Sequence, residues 1–326
     1  MIKQVIKKGL ATPWGWRLSA PLRHSGVVIL MYHRINAGTE HFPGMPLTQF
    51  RSQMQWIKKN CSPIWPEEII DACRLSSRIR PPVVITFDDG YRDYYDSAYP
   101  ILRELKIPAV MFLTTDYVDR GGLIWTEALY WAAMSSRKTN VTLPWQPDRL
   151  ITLSNKEERL NFVLDCKRFL KRALDIDRRR WLSILLGSLD VLKPENEIGR
   201  QMLSWDEVRA CLEGTRFGAH SHTHPIMSQL QPHEVELEIQ TCRDRIKEET
   251  GQSPECFAYP NGRANDFNEN TKIILQRSGF KMAFSTMEGI NGANADTFAL
   301  RRQPSGASSI GNFAALIAQA GMSKYR

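Results

Sequence analysis

Apolar positions along the chain follow two alternating patterns. Short, nearly continuous apolar runs occur at Val27–Tyr32, Val83–Phe87, Ala109–Leu113, Arg216–Ala219, Cys256–Tyr259 and Lys281–Phe284. Runs of this length predict strands buried on both faces, as in a parallel sheet. Between them, Thr48–Lys59, Asp96–Lys106, Pro232–Glu249 and Glu269–Arg277 carry helical spacing. The alternation predicts an α/β fold with a parallel sheet or barrel. Ser204-Trp-Asp-Glu207 reads as a capping box opening a helix that stops near Gly214, and Ser154-Asn-Lys-Glu157 as a second one. Pro232 suits a first helical turn and Gly251 the end of that helix.

Residues from about 120 to 202 interrupt this alternation. They are rich in helix formers and Trp and show no clear strand signal, so they predict a helical insertion between two barrel strands. Lys167, Arg168, Lys171, Arg172, Arg178, Arg179 and Arg180 lie within it. Such a basic helix either meets phosphate groups or a membrane, or is a solvated face. The expected organisation is a basic amphipathic segment over 1–25 and one barrel domain over 26–326 carrying the insertion.

Composition narrows the picture. A chain of 326 residues, 42% hydrophobic, suffices for one α/β barrel with an insertion. No apolar run reaches the length of a spanning helix. The net charge of +8 favours acidic partners without naming one, and no nucleic-acid partner is expected. The basic excess is concentrated at the start, where Lys3, Lys7, Lys8, Arg17, Arg23 and Arg34 precede the first acid, Glu40. Ile2, Val5, Ile6 and Leu10 fall at helical spacing, followed by Trp14 and Trp16. That pattern fits a short helix on an anionic membrane surface or a helix packed on its own domain. Lysines interrupt any secretory signal, so a cytoplasmic location is expected, peripheral on the inner face of a bacterial membrane if the segment binds lipid. Six cysteines without a C-x-x-C pair fit reduced thiols.

Four predicted strands end in residues that can do chemistry: His33, the pair Asp88 and Asp89, His220, and Tyr259-Pro-Asn-Gly262. Parallel barrels place their active sites at these C-terminal strand ends. Two adjacent carboxylates call for a cation or a shared proton, unless they merely cap the next helix. Gly90 would let the backbone turn so that both face one site. His220-Ser-His-Thr-His224 holds three of the seven histidines. Two imidazoles and one carboxylate make an open three-ligand site suited to zinc, cobalt, nickel or iron.

Thr86-Phe-Asp-Asp-Gly90, His220–His224 and Phe257-Ala-Tyr-Pro-Asn-Gly262, in that order, resemble the polysaccharide deacetylase family, the NodB-homology group or carbohydrate esterase family 4. The resemblance runs from roughly Val27 to Gly306, leaving out most of the insertion. It implies a distorted (β/α) barrel and a metal-dependent hydrolase that removes an N-acetyl group from a sugar. It implies one divalent ion, zinc first, on Asp89, His220 and His224, with Asp88 as general base. It also implies an oxyanion donor at the Asn261 N–H, with Tyr259 beside it at the substrate. His222, between two ligands, is expected to point away.

Two departures from the family pattern matter. Ala258 stands where many members have an Arg that steadies the base. Arg301 or Arg302 is expected to replace it, Arg302 being preferred from resemblance to a subgroup with a late Leu-x-Arg. No histidine follows His233 to serve as the late acid. Leu30-Met-Tyr-His33 resembles a subgroup acting on bacterial exopolysaccharide with that motif moved to the first strand, which makes His33 the expected acid. The expected substrate is an N-acetylated sugar in a polymer, a lipid-linked precursor or a nucleotide sugar. Alternatives are a catalytically weak carbohydrate-binding protein of this fold, or a metal-dependent amidohydrolase on a non-sugar substrate.

Overall fold

Seven parallel strands form the frame that positions the site. They are β1 (Val28–Tyr32), β2 (Pro82–Phe87), β3 (Ala109–Leu113), β4 (Thr215–Ala219), β5 (Cys256–Ala258), β6 (Met282–Phe284) and β7 (Gln303–Pro304). Their order in the sheet is β6-β5-β4-β3-β2-β1-β7. The short strand Ser62–Pro63 pairs with the first residues of β2. Beyond the last pairing, Phe284 makes a single parallel bridge to Leu300, just upstream of β7. The sheet thus curls into a half-barrel, a distorted (β/α) barrel of the expected type. The computed structural model describes residues 9, 12–22, 26–36, 41–75, 79–191, 198–306 and 309–319.

The helices used below are α1 (Leu47–Asn60), α2 (Tyr99–Leu105), α3 (Trp125–Ser135), α4 (Lys156–Leu170), α5 (Asp175–Leu189), α6 (Pro232–Thr250) and α7 (Glu269–Arg277). All six predicted strands and the four predicted helices occur close to their expected bounds. The helix expected from Asp96 begins as a π-turn over Tyr94–Ala98 before α2. The Ser204 box is present, with Ser204 Oγ accepting the Glu207 N–H and the Glu207 carboxylate accepting the Ser204 N–H. The second box is displaced by one residue: Asn155 caps α4 and accepts the Glu158 N–H at 3.0 Å. Ser154 only donates its backbone N–H to the Glu158 carboxylate.

Every position of β2, β3, β5 and β6 is buried, which is why their sequences are apolar without alternation. One face carries Ile29, Val84, Val110, Phe112, Ala258 and Phe284. The other, with Leu30, Ile85, Met111 and Phe257, packs on Phe50, Met54, Ile57, Ile101 and Leu102 of α1 and α2. A Cβ at Gly218 would lie 2.5 Å from the Phe112 ring, so this strand needs a residue without a side chain.

The stretch after β3 contains helices, as expected, but also strands. An antiparallel hairpin pairs Asn140–Leu143 with Gln146–Thr152. The second arm is almost wholly exposed, so it lacks the apolar positions that announce a strand in sequence. Leu129, Ala132, Phe162, Val163, Cys166, Leu170, Leu185 and Leu189 form an apolar cluster separate from that of the sheet. At the N-terminus, Ile2, Val5, Ile6 and Leu10 lie outside the described residues. Trp16 is buried edge-on against Trp56 and donates its indole N–H to the Asn60 carbonyl at 3.1 Å, while Trp14 is 76% exposed. Among the described residues, no helix is long and apolar enough to cross a membrane.

Candidate active site

The site begins where β2 ends. Asp88 extends the ladder by donating its N–H to the Tyr32 carbonyl at 3.0 Å. In the period-two register it follows Val84 and Thr86, on the face that carries Phe112 and Phe284. Asp89 would then point to the opposite face. Its φ of +79°, followed by +87° at Gly90, turns it back beside Asp88. The turn expected of the glycine is therefore shared with the aspartate, at a conformational cost of roughly 1–2 kcal/mol. A second such turn follows β4. His220 extends the strand with an N–H to Leu113 O bond of 2.9 Å, then Ser221 and His224 adopt φ of +63° and +61°. Ser221 Oγ accepts the His224 N–H, and the two imidazoles come to rest 4.9 Å apart. Among the described residues, four of the six non-glycine residues with positive φ (Asp89, Ser221, His224 and Asn261) lie here. Backbone strain of this kind clusters at functional sites.

Asp88 is gripped from behind by Arg302, which is fully buried. Nη1 donates to Oδ1 at 2.6 Å and Nη2 to Oδ2 at 2.7 Å. The guanidinium is itself oriented by Ser285 O and Thr86 Oγ1. Burial alone would raise the Asp88 pKa, but Arg302, with His220 and His33, holds it below the ordinary carboxylate value. Arg301 instead points its side chain at the Glu288 carbonyl. Of the two arginines, Arg302 is therefore the one paired with Asp88.

Asp89, His220 and His224 offer ligand atoms that all lie within 4.8 Å of one another, and all three residues are buried. Asp89 Oδ1 lies 3.3 Å from Nε2 of each histidine. His220 Nδ1 is 2.7 Å from the Ala258 carbonyl, which can only accept, so Nδ1 carries the proton and the Nε2 lone pair faces Asp89. A lone pair aimed at a carboxylate oxygen is repulsive unless a proton or cation lies between them. Burial depresses the His220 pKa, but Asp89 and Asp88 outweigh it and raise it, while burial keeps that of His224 low. Two imidazoles and a carboxylate with one shared need for positive charge fit a divalent ion. His222 is turned away, with Nδ1 2.9 Å from Thr115 Oγ1.

His33 sits across the mouth, 47% exposed, with Nε2 3.9 Å from Asp88 Oδ2. Asn261 occupies the left-handed region at φ +59°, and its side-chain amide nitrogen is buried without a partner among the described residues. Tyr259 lines the cavity, as expected of a residue beside the substrate, but its side chain is anchored elsewhere. Its hydroxyl donates to Phe298 O at 2.8 Å and its ring stacks flat on Phe267 at 3.9 Å, so the side chain belongs to the core. An aromatic beside a Pro-Asn-Gly turn gives no sequence signal of which way it points.

These groups open into a cavity of about 970 Å³ lined by His33, Asp88, Asp89, His220, His224 and Asn261. Sequence reasoning missed part of its wall. Arg34 directly follows His33 and lies over the Tyr91 ring at 3.9 Å, with bidentate bonds to Glu127 of α3 at 2.6 and 2.8 Å. Lys167 of α4 and Lys171, the residue that ends that helix, also reach the cavity, as does Arg263. The only signal for Arg34 was its position after a strand end.

The polysaccharide deacetylase family profile matches residues 76–283. A poly-beta-1,6-N-acetyl-D-glucosamine N-deacetylase of Escherichia coli K12 is 31% identical over 103 residues, which are 30% of this chain and 15% of that protein. The chain thus matches only a small part of that relative's length. Among solved structures, the Streptococcus pyogenes deacetylase PplD in complex with acetate superposes with a TM-score of 0.56 at 20% identity, covering 86% of this chain and 92% of that one. IcaB from Ammonifex degensii gives 0.56 at 18% identity, covering 91% and 98%. These two likenesses concern the fold. The profile match covers more than half of the sequence and includes Asp88, Asp89, His220 and His224, so the chain belongs to the polysaccharide deacetylase family.

Proposed function

We propose that this chain removes an N-acetyl group from a sugar of a polysaccharide or its precursor. The observation that carries the reading is a division between two adjacent carboxylates. Asp88 is held by Arg302, while Asp89 faces two imidazoles. A divalent ion on Asp89, His220 and His224, zinc being the first expectation, would supply Lewis-acid polarisation of the acetyl carbonyl and of water.

The residues around it have separable tasks. Arg302 keeps Asp88 ionised and fixes its direction, so that Asp88 accepts the proton of the attacking water. The Asn261 N–H, presented by its left-handed turn, donates to the developing oxyanion. His33, exposed and across from Asp88, gives the departing amine its proton. A protein that only bound carbohydrate would have no use for a buried carboxylate held ionised beside the cluster.

The test is acetate release by the metal-loaded protein from N-acetylated sugars in polymeric, lipid-linked and nucleotide-linked forms. At least one form should release acetate, and Asp88→Asn should abolish it. No release from any form would overturn the proposal.

A further inference from the structure

The charges lining the cavity are unevenly matched. Arg34 is answered by Glu127 and Asp93, Asp88 by Arg302, and Asp89 by His220 and His224. Lys167, Lys171 and Arg263 remain, against one further carboxylate in the lining, Glu288. Each lines the same cavity as Asp89. Among the described residues, none of the three makes an ion pair within 4.0 Å. Asp266 and Asp89 attract Lys171 without forming an ion pair with it, and Asp266 accepts the backbone N–H of Arg263 at 2.8 Å.

The three cations are brought together by the fold. Lys167 and Lys171 stand at i and i+4 at the C-terminal end of α4, so they share one face, and like charges at that spacing disfavour the helix. Arg263 comes from the loop after β5 and adds a third positive charge close enough to push against Lys171. The end of α4 is tied to the mouth: Gln229 Nε2 donates to Lys171 O at 2.7 Å, and Arg179 of α5 donates to Thr223 in the histidine loop at 2.8 Å. Lys167 is half-buried, and burial works against its charge. Lys171 and Arg263 are exposed, and with Lys167 they line one cavity from two elements, Lys171 being repelled by Arg263 and Lys167 by Lys171.

On the reading of the chain as a sugar deacetylase, we propose that Lys167, Lys171 and Arg263 form an anion subsite that binds a phosphoryl group carried by the N-acetylated substrate. Three positive charges match a phosphate or diphosphate better than the single charge of a carboxylate. Two ammonium groups and a guanidinium, arriving from different elements, can donate to several tetrahedrally arranged oxygens at once. The substrate class is therefore a sugar linked through phosphate, whether to a lipid or to a nucleotide.

Binding tests this without turnover, so its failure is distinguishable from failure of the deacetylase reading. Metal-loaded Asp88→Asn protein, which should keep its ion without turnover, is titrated by calorimetry with N-acetylglucosamine, N-acetylglucosamine 1-phosphate, and uridine diphosphate N-acetylglucosamine, and the subsite variants are made in the same background. Phosphoryl-bearing sugars should bind at least about tenfold more tightly than the neutral sugar. Lys167→Gln/Lys171→Gln should lose that advantage while keeping its bound metal, which separates the subsite from phosphate bound at the ion. Lys167→Arg/Lys171→Arg should retain most of it. Arg263→Gln, on an exposed loop, repeats the test should the double variant misfold. Preference for a short polyprenyl diphosphate sugar over the nucleotide sugar would assign the phosphate to a lipid, and the reverse to a nucleotide. Equal affinity for charged and neutral sugars, or an advantage untouched by both the Gln double variant and Arg263→Gln, would overturn the proposal.

Discussion

The strand ends and the helical wall build one cavity in different ways. At the strand ends, the candidate site residues continue the ladder or depart from it by one positive-φ step, as Asp88, Asp89 and His220 do. Their positions are fixed by hydrogen-bonded neighbours, and Arg302 is packed so fully that Asp88 has one place to be. The helical wall has its own apolar cluster and is joined to the mouth by polar ties such as Arg34–Glu127 and Gln229–Lys171. The strand ends thus fix the acidic and imidazole groups through the ladder, while the wall brings positive charge to the same cavity from helices with their own apolar cluster. On the proposed function, chemistry and substrate choice should be separable by mutation.

The sharpest way to break this contrast is Arg302→Ala. Removing one partner of a buried pair leaves a buried carboxylate uncompensated, and stability should fall by roughly 3–5 kcal/mol. The depressed Asp88 carboxyl contributes stability above the ordinary carboxylate pKa of about 3.9, and this is lost as pH falls through the lower folded value. Urea melts across pH should therefore show the variant's deficit at neutral pH shrinking toward acid. An unchanged melting curve would mean that Asp88 is held by something else.

His33→Ala should leave fold and metal content intact and slow acetate release by about 10²–10⁴-fold. The alkaline limb of the pH–rate profile should flatten with it. Normal turnover with that limb intact would remove His33 from the reaction. Smaller in its effect on chemistry is Leu170→Ala, in the core of the wall. It should cost roughly 2–5 kcal/mol of stability while the folded protein keeps its metal. Loss of metal from the folded variant would show that wall and strand ends are one unit.

The same contrast explains what could be read in the sequence. The strands were legible because they are buried on both faces, and their ends marked His33, Asp88, Asp89 and His220. His222 faces away, as its place between two candidate ligands suggested. The anchoring of the Tyr259 side chain was not legible, because its hydroxyl satisfies Phe298 O, a partner 39 residues away that no local pattern announces. The exposed hairpin arm escaped for lack of apolar positions. Lys167 and Lys171 looked like any charged helix face, since only the tertiary fold shows that they point into the same cavity as Asp89.

The central claim is that two neighbouring carboxylates do different work. It is tested by metal content and acetate release measured side by side in Asp88→Asn and Asp89→Asn. Asp88→Asn should keep about one divalent ion per chain and lose acetate release, because an amide cannot take the water's proton. Asp89→Asn should bind the ion weakly, with activity returning in part at high metal concentration. Equal metal loss in both variants, or acetate release surviving in Asp88→Asn, would contradict the account.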